Sequence, residues 1–411
     1  MRILHLVHRS APFHGGAERY VLEHARAGLR FGHTCVIATT DAWDMSAFTC
    51  RSGRRVEGRR ETRDGVEIIR FPVVNPPVQD LLRAVLRRLR SGGPDLHFYP
   101  NPFVPSMERW LARDHGFGFV HANAMPFVLR LGYRHARRFR AGLASVPHAN
   151  VGEKHRRVDA IRYFDGTQPE VLRRSSFVVA QSLFERDLFL DMGVAPERVL
   201  VLGSGIDPAE FAEADPARGR HALGVENRMV LSLTAHCLDR GSGHLIEACR
   251  ELWAGGADFT LVLAGPLLGD MRPVLDDALR ALPPGRLVST GYVRQEDRAD
   301  IIAACDVFVL PSRLDCFGIG LLEAWACGRP VVGCWSGAMP ELIREGANGW
   351  LAPFGDARTL AHRIGLLLKD PDAASAMGEE GRRQVLSERT WEAVTGRFYE
   401  RLAECAPREG R

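Results

Sequence analysis

Residues 306–336 read DVFVLPSRLDCFGIGLLEAWACGRPVVGCWS. An apolar run from Asp306 to Ser312 is followed by a turn with Gly318 and Gly320. A helix-length segment comes next, and then a second apolar run from Pro330 to Ser336. Strand, turn, helix and strand in that order make one unit of a parallel sheet. The turn carries more than a sheet needs, because Asp315 and Glu323 stand eight positions apart with two glycines between them. The first N–H groups of a helix have no acceptor inside it, and the aligned peptide dipoles make that end positive. The N–H groups of residues 317–320, from Phe317 to Gly320, are therefore predicted to be free to bind a diphosphate. Glu323 is placed to accept hydrogen bonds from paired hydroxyls, as on a ribose, and Asp315 from the hydroxyls of a sugar. An N-cap aspartate with a dipole-favoured glutamate is the plainer reading of the same residues.

The same unit recurs in both directions. Strand-like runs lie at Ile3–Val7, Thr34–Thr40, Val66–Val73, Phe117–Asn123 and Phe177–Ser182. A second series follows at Met229–Ala235, Phe259–Gly265 and Arg286–Val293, before the two runs already quoted. Between them the spacing predicts helices, one with Tyr20, Val21, Ala25 and Leu29 on a single face and Gly32 as its stop. Nearly continuous apolar strands joined by helices mean parallel sheets covered on both faces. Two series mean two doubly wound α/β domains. The Pro-, Gly- and Ala-rich stretch Gly203–Gly219 reads as the join. Open sheets of this kind take ligands beyond the carboxyl ends of their strands, so two of them facing across a cleft suit the joining of two substrates.

Bulk properties bound the class. The chain has 411 residues, 45% hydrophobic and 25% charged, which is the composition of a globular protein with more than one core. No apolar run reaches the ~18 residues of a membrane span. MRILHLV is too short for a signal-peptide core, so a cytoplasmic location is expected. Nine dispersed cysteines without a C-x-x-C pair fit reduced thiols rather than a zinc site. A formal charge of +4 does not call for nucleic acid. The arginines do crowd the first half, and DLLRAVLRRLRSG places Leu82, Val85, Leu86 and Leu89 on one helical face and arginines on another. This helix, within residues 80–90, reads either as a peripheral contact with an anionic membrane or as a helix on the sheet with a solvated face.

A second phosphate candidate is the loop HRSAPFHGGAERY, where Gly15 and Gly16 precede a helix. Adjacent glycines let a ligand approach the backbone closely. The stretch lacks both G-x-G-x-x-G and the P-loop pattern, which speaks against a dinucleotide or P-loop site.

Asp315-x7-Glu323, with Pro311-Ser312 before it and EAWACGRPVV through it, resembles the E-x7-E region of retaining glycosyltransferases of family 4, which have the GT-B fold. The likeness extends over nearly the whole chain, through MRILHLVHRSAPFHGGAERYVLEHARAGLRFGHTCVIAT, VLVLGSGIDPAEF, GAMPELIREGANGWLAPFGD and TWEAVTGRFYERL. It implies an acceptor-binding Rossmann-like domain over 1–207, a nucleotide-sugar domain over 208–390, and a helix within 391–411 that packs back on the first domain. By resemblance, Glu323 binds the ribose and Asp315 the donor sugar. The N–H groups of Phe317, Gly318 and Ile319, with Gly15 and Gly16, lie near sugar and diphosphate, and backbone at Val293 and Arg294 borders the base. His148, in VPHAN, lies close to the transferred sugar. The implied reaction moves a sugar from a nucleoside diphosphate to a hydroxyl of a sugar, lipid-linked or small-molecule acceptor, with retention and with neither metal nor further cofactor.

Three positions depart from the family pattern. Asp315 stands for the usual glutamate and is shorter by about 1.5 Å. In TAHCLDRG, Arg240 holds the place of the family lysine, while Ala235 replaces an arginine; His236 and Arg313 are the candidates to supply the missing charge. Ser204 stands where the join has asparagine. These departures leave open a catalytically silent nucleotide-sugar-binding protein, and the fold itself leaves open a phosphorylase or an epimerase.

Overall fold

The computed structural model describes residues 1–12, 15–48, 50–75, 102–124, 126–149 and 166–405. Residues 80–90, with the basic helix read from the sequence, lie outside them. Among the described residues, fourteen strands form two sheets. The first holds β1 (Arg2–Leu6), β2 (Thr34–Thr40), β3 (Arg60–Arg63), β4 (Val66–Phe71), β5 (Phe119–Asn123), β6 (Gly142–Val146), β7 (Phe177–Ala180) and β8 (Val199–Val201). Their order is β3-β4-β2-β1-β5-β6-β7-β8. The second holds β9 (Arg228–Leu233), β10 (Phe259–Ala264), β11 (Leu287–Gly291), β12 (Val307–Val309), β13 (Val331–Cys334) and β14 (Gly349–Ala352), in the order β11-β10-β9-β12-β13-β14. Every pairing is parallel except β3 with β4. This is the two-domain GT-B architecture.

Burial on both faces explains the continuous apolar strands. Met229, Leu231 and Leu233 of β9 enter one core cluster while Val230 enters the cluster on the opposite face. In β1, Leu4 and Leu6 divide from Ile3 in the same way. In each sheet the chain winds outward in both directions from a central strand, β1 or β9, so a crevice opens beyond its carboxyl end.

The structure corrects the strand list in two respects. Several runs end early: β12 stops at Val309, with the Leu310 N–H reaching the Val332 carbonyl at 2.9 Å, and Pro311 has no N–H to extend the ladder. Four strands were not read from the sequence. β3 is charged because it is an edge strand, joined to β4 by Asp64-Gly65 with φ of 50° and 79°, a turn that favours just this dipeptide. β6 is built from small residues, and β8 and β14 are three and four residues long.

The helix Trp391–Cys405 lies on the first sheet although it follows the second in sequence. Its Trp391, Val394, Phe398 and Leu402 share a core cluster with Ile3 and Tyr20, and the Tyr399 hydroxyl donates to the His24 carbonyl at 2.6 Å. Where the chain returns, Ile206 exchanges backbone bonds with Arg389 and Trp391 at 2.9 and 3.0 Å. The two interdomain crossings are thus bonded side by side.

Candidate active site between the two sheets

Two loops at the carboxyl ends of β9 and β12 are tied together by crossed ion pairs. Arg240 donates through Nη1 to Asp315 Oδ2. Arg313 donates through Nε and Nη2 to Asp239 Oδ1 at 3.1 and 2.5 Å. The loops approach closely enough to require glycine between them: Gly241 has φ 71°, and a Cβ there would lie 2.2 Å from the Pro311 carbonyl oxygen. The charge of Asp315, outweighing burial, holds Arg240 still more firmly protonated.

This geometry removes one candidate for the charge lost at Ala235. His236 is fully buried, with Nδ1 2.9 Å from Ser242 Oγ and Nε2 3.2 Å from the Ala264 carbonyl. Burial, assisted by Arg240, pushes its pKa down to about 4, so it is neutral at physiological pH. Arg313 remains a cation on the rim, but its fork is held by Asp239.

From Asp315 the chain turns into the helix Ile319–Ala326. Gly318 caps it with φ 87°, a left-handed conformation suited to glycine. Among the described residues, no acceptor is paired with the N–H groups of Phe317, Gly318 or Ile319. The Phe317 side chain is buried against the join, where a Cβ on Gly203 would come within 2.4 Å of its ring. Phe317 therefore anchors the turn and offers a ligand only backbone.

Glu323, one turn into this helix, is 3% exposed. Its two carboxylate oxygens take the Nε, at 3.0 Å, and the Nη2 of Arg298, from the helix Gln295–Ala304. Ionised oxygens have further lone pairs, so the pairing fixes the carboxylate without exhausting it. The Arg294 side chain turns back to Asp297 at 2.7 and 2.8 Å and to Glu296 at 2.6 Å, and Val293 packs on the core. Both side chains are thereby committed within the second domain.

The first domain contributes the opposite wall. Gly15 caps the helix Gly16–Arg30. A Cβ on Gly16 would meet Ile319 Cδ1 at 3.2 Å, so the two glycine-bearing helix starts abut each other. Beside them, Cys316 Sγ donates to the His148 carbonyl at 3.3 Å. His148 takes φ 49°, a strained choice for a non-glycine residue. Its Nε2 is buried without a partner among the described residues, and its ring stands edge-on to Tyr20 at 5.2 Å. Burial, then the nearby His8, lowers its pKa to about 4, with Glu18 opposing.

Residues not singled out from the sequence hold these walls in place. Glu18 is buried and bonded to His8 Nε2 at 3.2 Å and to Arg9 at 3.0 and 2.9 Å. Burial alone would raise its pKa, but His8 and Arg9 bring it down to about 2. Glu185 accepts from the backbone N–H groups of Ala149 and Gln181 and so pins the loop that carries His148. Burial raises its pKa to about 8 against those two bonds. Glu341, from the second domain, accepts from the N–H groups of Leu183 and Phe184 at 2.8 and 3.2 Å, capping a first-domain helix. HGGAE and PEL were visible in the sequence, but only the fold shows what these acids face.

Residues 15–205 match the family model described as a Glycosyl transferase 4-like domain, and residues 215–384 match Glycosyl transferases group 1. A GDP-mannose-dependent alpha-(1-6)-phosphatidylinositol monomannoside mannosyltransferase of Mycolicibacterium smegmatis is 34% identical over 215 residues, 49% of this chain and 55% of that protein. The amylovoran biosynthesis glycosyltransferase AmsK of Erwinia amylovora is 29% identical over 53% of this chain and 51% of its own length. The chain thus spans about half the length of these curated relatives. Anabaena Alr3699/HepE, solved in complex with UDP and glucose, superposes with a TM-score of 0.74 over 98% of this chain and 100% of its own, at 20% identity. Sucrose-phosphate synthase from Thermosynechococcus elongatus superposes with a TM-score of 0.73 over 98% of this chain and 99% of its own, also at 20% identity.

Proposed function

Because this chain is a glycosyltransferase of the GT-B fold, a glycosyl transferase 4-like domain followed by a group 1 domain, we propose that it moves a sugar from a nucleoside diphosphate sugar to an acceptor hydroxyl with retention at the anomeric carbon. The observation that carries this reading is the meeting of Gly16 with Ile319 and of His148 with Cys316. These contacts bring the two helix starts together, next to the turn that carries Asp315 with its partner Arg240 and next to the loop that carries His148. The names of the relatives, with GDP-mannose, UDP and UDP-glucose among them, support a nucleotide-sugar donor.

In this reading the bond between the anomeric carbon and the diphosphate oxygen breaks, and a bond to the acceptor oxygen forms on the same face. The acceptor proton passes to the departing phosphate. Negative charge grows on that phosphate, where Arg240 and the backbone N–H groups of Phe317, Gly318, Ile319, Gly15 and Gly16 stabilise it. Glu323, held by Arg298, receives the ribose hydroxyls, and backbone at Val293 and Arg294 borders the base. His148 and Asp315 hold the sugar, Asp315 through hydroxyls and through its grip on Arg240. Acceptors in polysaccharide, glycolipid or other glycoconjugate synthesis fit the company of relatives whose names include phosphatidylinositol mannoside and amylovoran. The acceptor lies in the first domain.

The test is product analysis with UDP-, GDP-, ADP- and dTDP-sugars and an acceptor panel. Release of nucleoside diphosphate with an α-configured glycoside from an α-donor supports the reading. An inverted product, or sugar 1-phosphate formed from free phosphate, sinks it.

A further inference from the structure

At the end of the first sheet farthest from β8, β3, β4 and the helix Pro105–Leu111 enclose a pocket lined by Arg59, Arg60, Arg70 and Arg109 over the rings of Phe71 and Trp110. Among the described residues no acid lines it. Arg60 is paired to Glu67 at 3.3 Å. Arg70 is buried, donating to Glu61 at 2.6 Å and to the Ala11 carbonyl at 2.7 Å, in the loop that leads to Gly16. Arg59 and Arg109 are exposed and have no ion pair among the described residues. Ser106 Oγ, also in the lining, is buried there without a partner among the described residues. The floor is stiff: Trp110 stacks on His115 at 4.2 Å and tilts on Phe71 at 5.4 Å.

We infer that this pocket binds an oxyanion, phosphate or carboxylate, carried by the acceptor. Guanidinium forks match both groups in two-point geometry, and a hydroxyl without a partner adds one more donor. Phe71 ends β4 and Pro72 follows it, at the carboxyl end of the strand where ligands of this fold sit, and Arg70 links the wall to the glycine loop. The inference rests on the first domain being the acceptor side. It adds that the acceptor is acidic, and that selection against neutral acceptors is made here rather than at the reacting carbon.

The test is titration calorimetry of the full chain with mannose 6-phosphate, mannose and phosphatidylglycerol vesicles, with UDP as the control. The R59A/R109A variant changes only exposed side chains, so it keeps the fold. The expected result is binding of mannose 6-phosphate but not mannose, weakened about tenfold or more in R59A/R109A, with UDP affinity unchanged. Salt-sensitive vesicle capture lost in the same variant assigns the oxyanion to a lipid headgroup, and supports the pocket equally. Equal phosphate binding by wild type and variant, or none by either probe, overturns the inference. Loss of UDP binding alone would instead overturn the donor reading and leave this pocket standing.

Discussion

The Arg240 guanidinium and the Asp315 carboxylate form an ion pair between the loops that follow β9 and β12. The neighbouring pair of Arg313 with Asp239 runs in the opposite sense. In the proposed reading a donor diphosphate therefore meets Arg240 already paired with Asp315. Asp315 reaches Arg240 from the same turn that gives the free N–H groups, so an incoming anion meets both at once.

Replacing Arg240 by alanine should lower turnover about 100-fold, the usual effect of losing one preorganised charge donor. Arg240→Lys keeps the charge but loses the fork, so it should fall between wild type and alanine. Steady-state kinetics with a saturating donor measures this. Near-wild-type turnover in Arg240→Ala would place the diphosphate elsewhere.

How much of this was legible in the sequence depends on how local each feature is. The βα alternation with its two doubly wound domains and the two glycine-bearing helix starts are local patterns, Thr34–Thr40 matches β2 to the residue, and GT-B itself rests on the family resemblance. Asp315 and Glu323 were read as acids near one turn. Their partners Arg240 and Arg298 lie 75 and 25 positions away, and pairing at that separation leaves no periodicity to detect. From the sequence His236 is one of two possible cations, because a histidine beside a strand looks alike whether it faces a cleft or, as here, Ser242 and the sheet interior. β3 was missed because an edge strand is free to be charged, although Asp64-Gly65 marked its turn.

The Glu323–Arg298 pair is buried on the acid side and partly buried on the other. Removing one partner strands a charge in the interior, at a typical cost of about 3–5 kcal/mol. Arg298→Met should therefore lower the urea midpoint and also raise the donor KM more than it lowers kcat, because its role is to aim Glu323. An unchanged midpoint with unchanged KM would mean the pair does neither.

Four histidines pack under the first-domain wall. His5 and His121 bring their Nδ1 atoms to 3.0 Å, and His24 and His148 bracket Tyr20 at 4.0 and 5.2 Å. Burial first, then His24 and His33, pushes His5 to about 3, and burial first, then His5, His24 and His148, pushes His121 well below its ordinary 6.5. Burial takes His24 to about 3 and His148 to about 4. These folded-state values lie below the unfolded one, so the unfolded chain binds more protons in acid. The histidine contribution is then level above pH 6.5 and is lost as pH drops from 6.5 towards 4, four groups against the single Glu185, whose pKa raised to about 8 acts in the opposite sense. Each histidine adds about 1.4 kcal/mol per pH unit to the slope. Urea melts at pH 7.5, 6 and 5 should show that loss, and His24→Leu should make it shallower. A midpoint independent of pH over this range would contradict the neutral cluster.

Glu341 closes the two domains by a different device. Its carboxylate, in the second domain, satisfies the Leu183 and Phe184 N–H groups at the start of the helix Leu183–Asp191 in the first. Ser182 takes the next free donor, from Glu185 at 3.1 Å, so the helix end is fully capped only while the domains touch. A cap of this type contributes about 0.5–2 kcal/mol, which near a balanced open–closed equilibrium changes the ratio several-fold. Glu341→Ala should therefore shift the unliganded protein towards the open form, seen as a larger radius of gyration by small-angle X-ray scattering. Saturating nucleotide should reverse the change, since Gly16 and Ile319 still meet around it. If Glu341→Ala scatters as wild type does in the absence of nucleotide, closure is held by other contacts, and the Ile206–Arg389–Trp391 crossing is the first to examine.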